Sequence, residues 1–446
     1  MALDRQIARL AKILVDSEGI SFPEAQARLR ALTLEVVVGP DAVSPAAHAA
    51  VLTAASVGHR TFVGGVRVAG VIDQPLNSAL PLTGPSLGEA AVEVGASAFE
   101  GAPSRRIVIG ASSAPPDDVW SVEASWDGWR AGIAEPGARV CGAGDNPLAG
   151  IAAGALAVGK AFEAQRGRDP DLHSEIDLWP SAGADQQTPG FADIFLPGAV
   201  WLIGLGNLGQ AFLWALAALP YAHPGDVSLV LQDRDKISEE NWATSVLVTD
   251  ETYGRLKTRT GEVWATAKGF EVRRIDRRLV AVDRLEDDDP CVALSGVDKI
   301  EARKLMAEVG FDCIVDAGLG RTAETFDRYR VTVFDRVRSI DKHFADQDDA
   351  SADEGIPQED AYQRLLEEVG RCGTAEVAGA SVAAPFVSAL AATIAVSRLI
   401  AVCSGCVCPQ NEVGRLSALS SRRLAPAVKI DARGARHAGR PRPRTG

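Results

Sequence analysis

An apolar run, Ala199 to Ile203, enters the turn Gly204-x-Gly206-x-x-Gly209 and continues into a helix-compatible segment, Asn207 to Leu219. A second apolar run, Val227 to Leu231, ends in Asp233, 24 residues after Gly209. Few arrangements satisfy that order. It predicts a strand, a tight glycine turn, a helix and a second parallel strand, the opening unit of a doubly wound α/β sheet. Small glycines let backbone approach a pyrophosphate, and a helix N-terminus presents free N–H groups to it. A carboxylate at the position of Asp233 suits a ribose hydroxyl. The turn by itself fits a dehydrogenase equally well.

The downstream residues separate the readings. Asp233-Arg-Asp235, then Asn241, then Lys257, then Ser-Gly-Val-Asp298-Lys-x-Glu-x-Arg303, is not a dehydrogenase pattern. It resembles the ThiF/MoeB superfamily of adenylating enzymes, which includes the ubiquitin-activating enzymes. The resemblance implies that Gly204, Gly206, Asn207 and Gly209 cradle ATP and that Asp233 holds its ribose. It also implies that Asp235 and Asn241 shape the phosphate end, Lys257 contacts phosphates, and Asp298 coordinates magnesium. Each charged residue alone would read as a solvated loop; their joint spacing points to a site. One departure stands out. The family usually continues Asn-Leu-x-Arg-Gln, with the arginine on the phosphates, whereas this chain reads Asn241-Trp-Ala-Thr244-Ser.

Making an acyl adenylate brings a carboxylate against the α-phosphate of ATP, anion against anion, so cations must neutralise the growing charge. With Thr244 in the arginine position, one cation is missing. In paired members of the family the partner half supplies an arginine, and Arg5 and Arg9 in the opening segment LDRQIARLAKIL are the candidates here. The alternative is that both solvate an amphipathic helix.

The chain has 446 residues, enough for two domains, and its net charge of −13 makes the body a poor nucleic-acid binder. Residues 421–446 carry eight Lys/Arg against one Asp, leaving about −20 on the rest. That Arg-, Pro- and Gly-rich tail lacks an apolar period and reads as disordered. No secretory signal is visible in MALDRQIARLAKIL. The longest uncharged stretch, Val377 to Ser397, contains Pro385, is closed by Arg398 and suits a buried helix better than a bilayer span. Seven irregularly spaced cysteines fit a reducing cytoplasm.

Two halves are expected, parted at the polar, breaker-rich stretch from Asp169 to Gly190. Each ends in a cysteine followed by a small-residue helix: Cys141 before 149–164, and Cys372 before 378–401. This reads as a diverged duplication. The first half has apolar strands but no glycine–acid–Lys–Asp series. The expected fold is α/β, with two Rossmann-like, ThiF-type halves forming a pseudo-dimer: a degenerate 1–185, an active 190–415 and a basic tail 416–446. An active half joined to an inactive one is the arrangement of the larger ubiquitin-activating enzymes. The double-length form most resembles bacterial activating enzymes of antiviral defence operons, the Bil type.

The family carries its thiol-transfer cysteine in a crossover loop just before the later helix, so the resemblance makes Cys372 the candidate nucleophile. A thiolate near a helix N-terminus would have a lowered pKa. A structural cysteine under a loop is the alternative. Many relatives also bind zinc through two C-x-x-C pairs. Here Cys403-Ser-Gly-Cys406-Val-Cys408 offers a downstream pair with no upstream one, so zinc is not expected.

The implied activity is adenylation of the C-terminal glycine tail of a ubiquitin-like protein, using ATP and Mg2+. Thioester transfer to Cys372 and then to a conjugating enzyme follows, in the cytoplasm and without nucleic acid or membrane. Whether two such chains form a homodimer stays open. Alternatives are a sulfur-carrier adenylyltransferase, which is typically half this length and zinc-bearing, an NAD-dependent oxidoreductase, and a silent scaffold.

Overall fold

A computed structural model describes residues 3–111, 117–138, 144–179, 188–347, 357–432 and 434–442. The N-terminal pair α1 (Ala8–Glu18) and α2 (Phe22–Ala31) precedes β1 (Thr33–Val38), α3 (Pro45–His59), β2 (Gly65–Gly70), α4 (Leu87–Glu93) and β3 (Arg105–Ile109). The first lobe closes with β4 (Ser121–Asp127), β5 (Arg130–Ala134), α5 (Pro147–Gln165) and β6 (Glu175–Asp177). The second opens with β7 (Ala199–Ile203), α6 (Asn207–Ala218), β8 (Ser228–Gln232), α7 (Lys257–Lys268), β9 (Glu271–Ile275) and β10 (Val292–Ser295). It continues through α8 (Ile300–Val309), β11 (Cys313–Leu319), β12 (Arg328–Asp335), α9 (Ile340–His343), α10 (Asp360–Gly379) and α11 (Pro385–Cys403). Short strands β13 (Val407–Pro409), β14 (Asn411–Arg415), β15 (Arg423–Leu424) and β16 (Ala427–Lys429) finish the chain.

The first sheet runs β2-β1-β3-β4-β5-β6 and the second β15-β14-β12-β11-β10-β7-β8-β9. In each, four or more parallel strands are followed by antiparallel ones, and the orders β2-β1-β3-β4-β5 and β8-β7-β10-β11-β12 correspond strand for strand. The repetition expected from two small-residue helices therefore extends to five strands of each sheet. Both lobes are α/β, wound like a Rossmann sheet. β7 is buried at all five residues, as a parallel strand covered on both faces must be.

Helices α3, α5, α6 and α11 pack between the lobes. Their small residues permit close backbone approach: a Cβ on Gly150 would lie 1.9 Å from the Ala46 carbonyl oxygen, and one on Gly154 2.5 Å from that of Ala50. Phe162, Phe326 and Phe386 form an aromatic cluster where α5 meets α11. Polar bonds cross the same seam, with Trp214 Nε1 donating to Thr53 Oγ1 at 3.1 Å and Lys160 Nζ to the Ser417 carbonyl at 2.8 Å. α11 is long and apolar enough to cross a membrane, but 94% of that window is buried inside the protein. Arg398, within this helix, is buried against Glu412 and the Leu178 carbonyl.

The basic tail departs from its expected disorder. β16 pairs with β13, the Leu196 amide donates to the Gly439 carbonyl, and the Arg442 amide donates to that of Pro220. Backbone pairing is blind to side-chain charge, and Arg440 adds a cation–π contact, 5.4 Å from the Phe195 ring centroid. Composition alone could not show that a sheet edge waits for this segment.

Candidate active site

β7 lies between β8 and β10, all parallel, so connections leave it in opposite directions and a crevice opens at the strands' C-terminal ends. The glycine turn sits there. Gly204 has φ +83°, and a Cβ on it would stand 3.1 Å from the Val297 nitrogen, so the turn after β7 and the loop after β10 touch backbone to backbone. A Cβ on Gly209 would lie 2.0 Å from the Gly204 carbonyl oxygen. Gly206, by contrast, faces open space and precedes α6 with no side-chain cap. The first N–H groups of that helix are thus left for an anion.

Asp233 follows β8. Its Oδ2 accepts from the Leu205 amide at 2.6 Å and its Oδ1 from the Asp235 amide at 2.8 Å, which fixes the carboxylate against the turn. Lys257 opens α7 and reaches Asp235 at 3.2 Å, while its own amide donates to the Asp235 carbonyl. Asp298 is exposed on the loop after β10, one residue beyond the Val297 contact with Gly204. Strand ends thus gather Gly204, Gly206, Gly209, Asp233 and Asp298 at one edge of the sheet. Asn241 is buried, and its Oδ1 accepts from the Ser238 amide at 3.0 Å, closing a turn. Thr244 is wholly buried and donates to the Asn241 carbonyl, so its hydroxyl does not replace the cation of the expected arginine.

Two residues expected to share a role part company. Arg9, on α1, pairs with Glu240 at 3.3 Å, next to Asn241. Arg5 precedes α1 rather than lying on it, and meets Glu376 of α10 at 3.6 Å with both side chains half exposed. Cys372 lies within α10, not in a loop just before α11; the backbone breaks at Gly370 (φ +74°), so a second helical segment begins there. The side chain of Cys372 lies outside the described residues, as does Cys141. α10 is held by the N-terminal pair: Tyr362 donates to Asp16 at 2.6 Å, and Lys12 donates to the Val377 and Ala378 carbonyls. Burial pushes the other described thiols up, Cys403 to about 12 and both Cys291 and Cys408 to about 11. No group of three or more His, Cys, Asp or Glu forms a metal site among the described residues.

The sequence reading missed several residues around the turn. Gln210 accepts from the Leu247 amide at 3.0 Å and donates to the Leu205 carbonyl at 3.3 Å, and Ser245 donates to Asn207 Oδ1 at 2.9 Å. A lone glutamine in the apolar helix NLGQAFLWALAA was its available signal. Arg60, at the end of α3, donates to the Trp242, Val246 and Val248 carbonyls, and nothing in the string GHRTF announces this. Asp316 is fully buried and accepts from Ser295 at 2.8 Å, Arg303 at 3.0 Å and Arg330 at 2.7 Å, anchoring the end of β10.

The comparisons with known proteins place this chain, with its crevice and paired lobes, in the class of E1-like proteins. The profile of the BilD C-terminal domain matches residues 196–406 and that of the BilD N-terminal domain residues 33–174. The bacterial E1-like protein BilD of Collimonas sp. (strain OK412) is 36% identical over 409 residues, covering 88% of this chain and 87% of that one. The chain belongs to the BilD family. Crystal structures of E. coli MccB, with ATP and without it, are 12% and 13% identical at a TM-score of 0.32, each covering 52% of this chain. The chain spans 64% and 62% of the MccB chains' lengths in those two structures.

Proposed function

We propose that the second lobe adenylates the C-terminal carboxylate of a ubiquitin-like protein with ATP. The acyl group then passes to Cys372 and onward to a conjugating enzyme, in the cytoplasm and in the service of antiviral defence. The observation that carries this reading is the open, uncapped start of α6, set beside Asp233, Lys257 and Asp298 at one crevice. Turn amides and the α6 N-terminus would bind phosphate oxygens, and Asp233 the ribose. A carboxylate oxygen of the partner attacks the α-phosphorus, the bond to the β-phosphate bridging oxygen breaks, and pyrophosphate leaves. Lys257, already drawn to an oxygen of Asp235, is placed to exchange that partner for a phosphate.

Asp298 fits a magnesium ligand: it is exposed, no ion pair engages it among the described residues, and a hard cation needs only one or two carboxylates beside phosphate oxygens. Magnesium would supply charge neutralisation at the triphosphate. In the second step the thiolate attacks the acyl carbon and AMP departs with the bonding electrons. Burial raises the thiols of Cys291, Cys313, Cys403, Cys406 and Cys408, which makes each a poorer nucleophile near neutrality and leaves Cys141 and Cys372 as the remaining candidates.

The test is ATP–pyrophosphate exchange with the ubiquitin-like partner, followed by adduct analysis. Cys372→Ala should retain exchange and lose the reductant-sensitive adduct, because thiol attack follows ATP consumption. An adduct that survives Cys372→Ala rules out that nucleophile. Absence of exchange in the native protein rules out adenylation.

A further inference from the structure

We propose that Arg60 of the first lobe is a positioning residue for the nucleotide turn of the second, acting through the 242–248 loop. The proposal deepens the adenylation reading and rests on it for the effect on ATP. Arg60 is 4% exposed and has no carboxylate partner among the described residues. Its Nη1 donates to the Trp242 carbonyl at 3.1 Å, and its Nη2 to those of Val246 and Val248 at 2.9 Å each. The guanidinium also lies 5.7 Å from the Trp242 ring centroid, and His59 meets the same ring edge-on at 4.9 Å.

Those three carbonyls bracket the residues that hold the glycine turn. Ser245 donates to Asn207, the first residue of α6, and the Leu247 amide donates to Gln210, whose side-chain nitrogen reaches the Leu205 carbonyl inside the turn. Ser245 and Gln210 are each 1% exposed, so little water is available to replace these bonds. A continuous path therefore runs from Arg60 through the loop to Leu205 and Asn207. A fork of fixed donors suits three converging carbonyls, which the single ammonium of lysine cannot reproduce. The same loop contains Thr244, at the position where the resemblance to adenylating enzymes leads one to expect a phosphate-binding arginine. The loop thus has threonine in the expected arginine position and, behind it, an arginine from the other lobe with no carboxylate partner among the described residues.

The experiment uses the full-length protein and compares Arg60→Lys, Ser245→Ala and the double variant. Amide hydrogen exchange is followed at 204–210 and 242–248, together with KM for ATP and kcat in pyrophosphate exchange. Arg60→Lys should speed amide exchange in both segments and raise KM for ATP about tenfold, with kcat changed no more than about threefold. Ser245→Ala should do likewise, and the double variant should fall short of the product of the two effects because both act on one path. Faster exchange confined to 242–248, or activity falling only with the folded fraction at unchanged KM, overturns the proposal. Should the arginine variant fail to fold, Ser245→Ala still decides: unchanged protection of 204–210 and unchanged KM break the path. If the native protein shows no ATP-dependent exchange while Arg60→Lys still deprotects 204–210, the adenylation reading fails and the positioning role stands.

Discussion

Sheet register allows the two lobes to be compared residue by residue at their crevices. Val38 pairs with Gly70 and Ile109, as Ile203 pairs with Gln232 and Ser295. Gly39 therefore answers Gly204, Val71 answers Asp233, and Ala111 answers Val297. A Cβ on Gly39 would meet the Ala111 nitrogen at 2.9 Å, much as one on Gly204 would meet that of Val297 at 3.1 Å. The close approach survives in both lobes; the room for a ligand does not. Where Gly206 faces open space, the first lobe has Asp41, whose carboxylate accepts from the Ala111 amide at 2.6 Å. Ser44, in the place of Gly209, caps α3 by accepting from the Ala47 amide at 3.1 Å. The first lobe caps its helix start with the Ser44 side chain, and the second leaves its helix start without a side-chain cap. On the function proposed above, the first lobe would lose nucleotide binding without a change of fold, by setting a carboxylate of its own where an external anion would sit.

The sharpest way to break this comparison is Asp298→Ala. It should lower pyrophosphate exchange at least ~100-fold while the melting curve is unchanged. Asp41→Ala in the first lobe should leave exchange intact; if the two variants behaved alike, the asymmetry would be wrong. Arg9→Ala should raise KM for ATP by about tenfold and Arg5→Ala by less than about twofold, since only Arg9 pairs beside Asn241. Gly150→Val tests the seam rather than the sites. Its side chain would enter the Ala46 backbone, and thermal unfolding should show a loss on the order of 3 kcal/mol or more.

The smallest effect concerns pH. Burial, helped by Arg60, holds His59 down at about 4 in the folded protein. Unfolded, it titrates near ~6.5, so the unfolded chain binds more protons in between and stability falls as pH drops from there toward 4. Denaturant melts at pH 7 and pH 5 should differ by on the order of 1 kcal/mol less in His59→Gln than in the native protein.

Local patterns were legible in the sequence where side chains carry them. The run AVWLI, the glycine turn and Asp233 fall where the spacing put them, because strand burial and turn sterics are local requirements. The duplication was visible only in its small-residue helices, while its fuller proof is strand order, which no single residue encodes. Arg60 and Glu240 escaped because their partners lie 182 or more residues away along the chain. The basic tail misled for the opposite reason: its composition speaks of solvation, and its backbone pairs regardless.

That tail bears on the order in which the protein can be made. The Gly198 amide donates to the Arg436 carbonyl and the Ala438 amide to that of Leu196, so the entrance to β7 is flanked by residues made long after it. The strands of the first lobe all lie before residue 178 and can pair while synthesis continues. The entrance to β7, which feeds the glycine turn, cannot close until residues 436–439 have been made. A nascent chain would therefore carry a paired first sheet while the strand that leads into the second lobe's glycine turn is still open at its start.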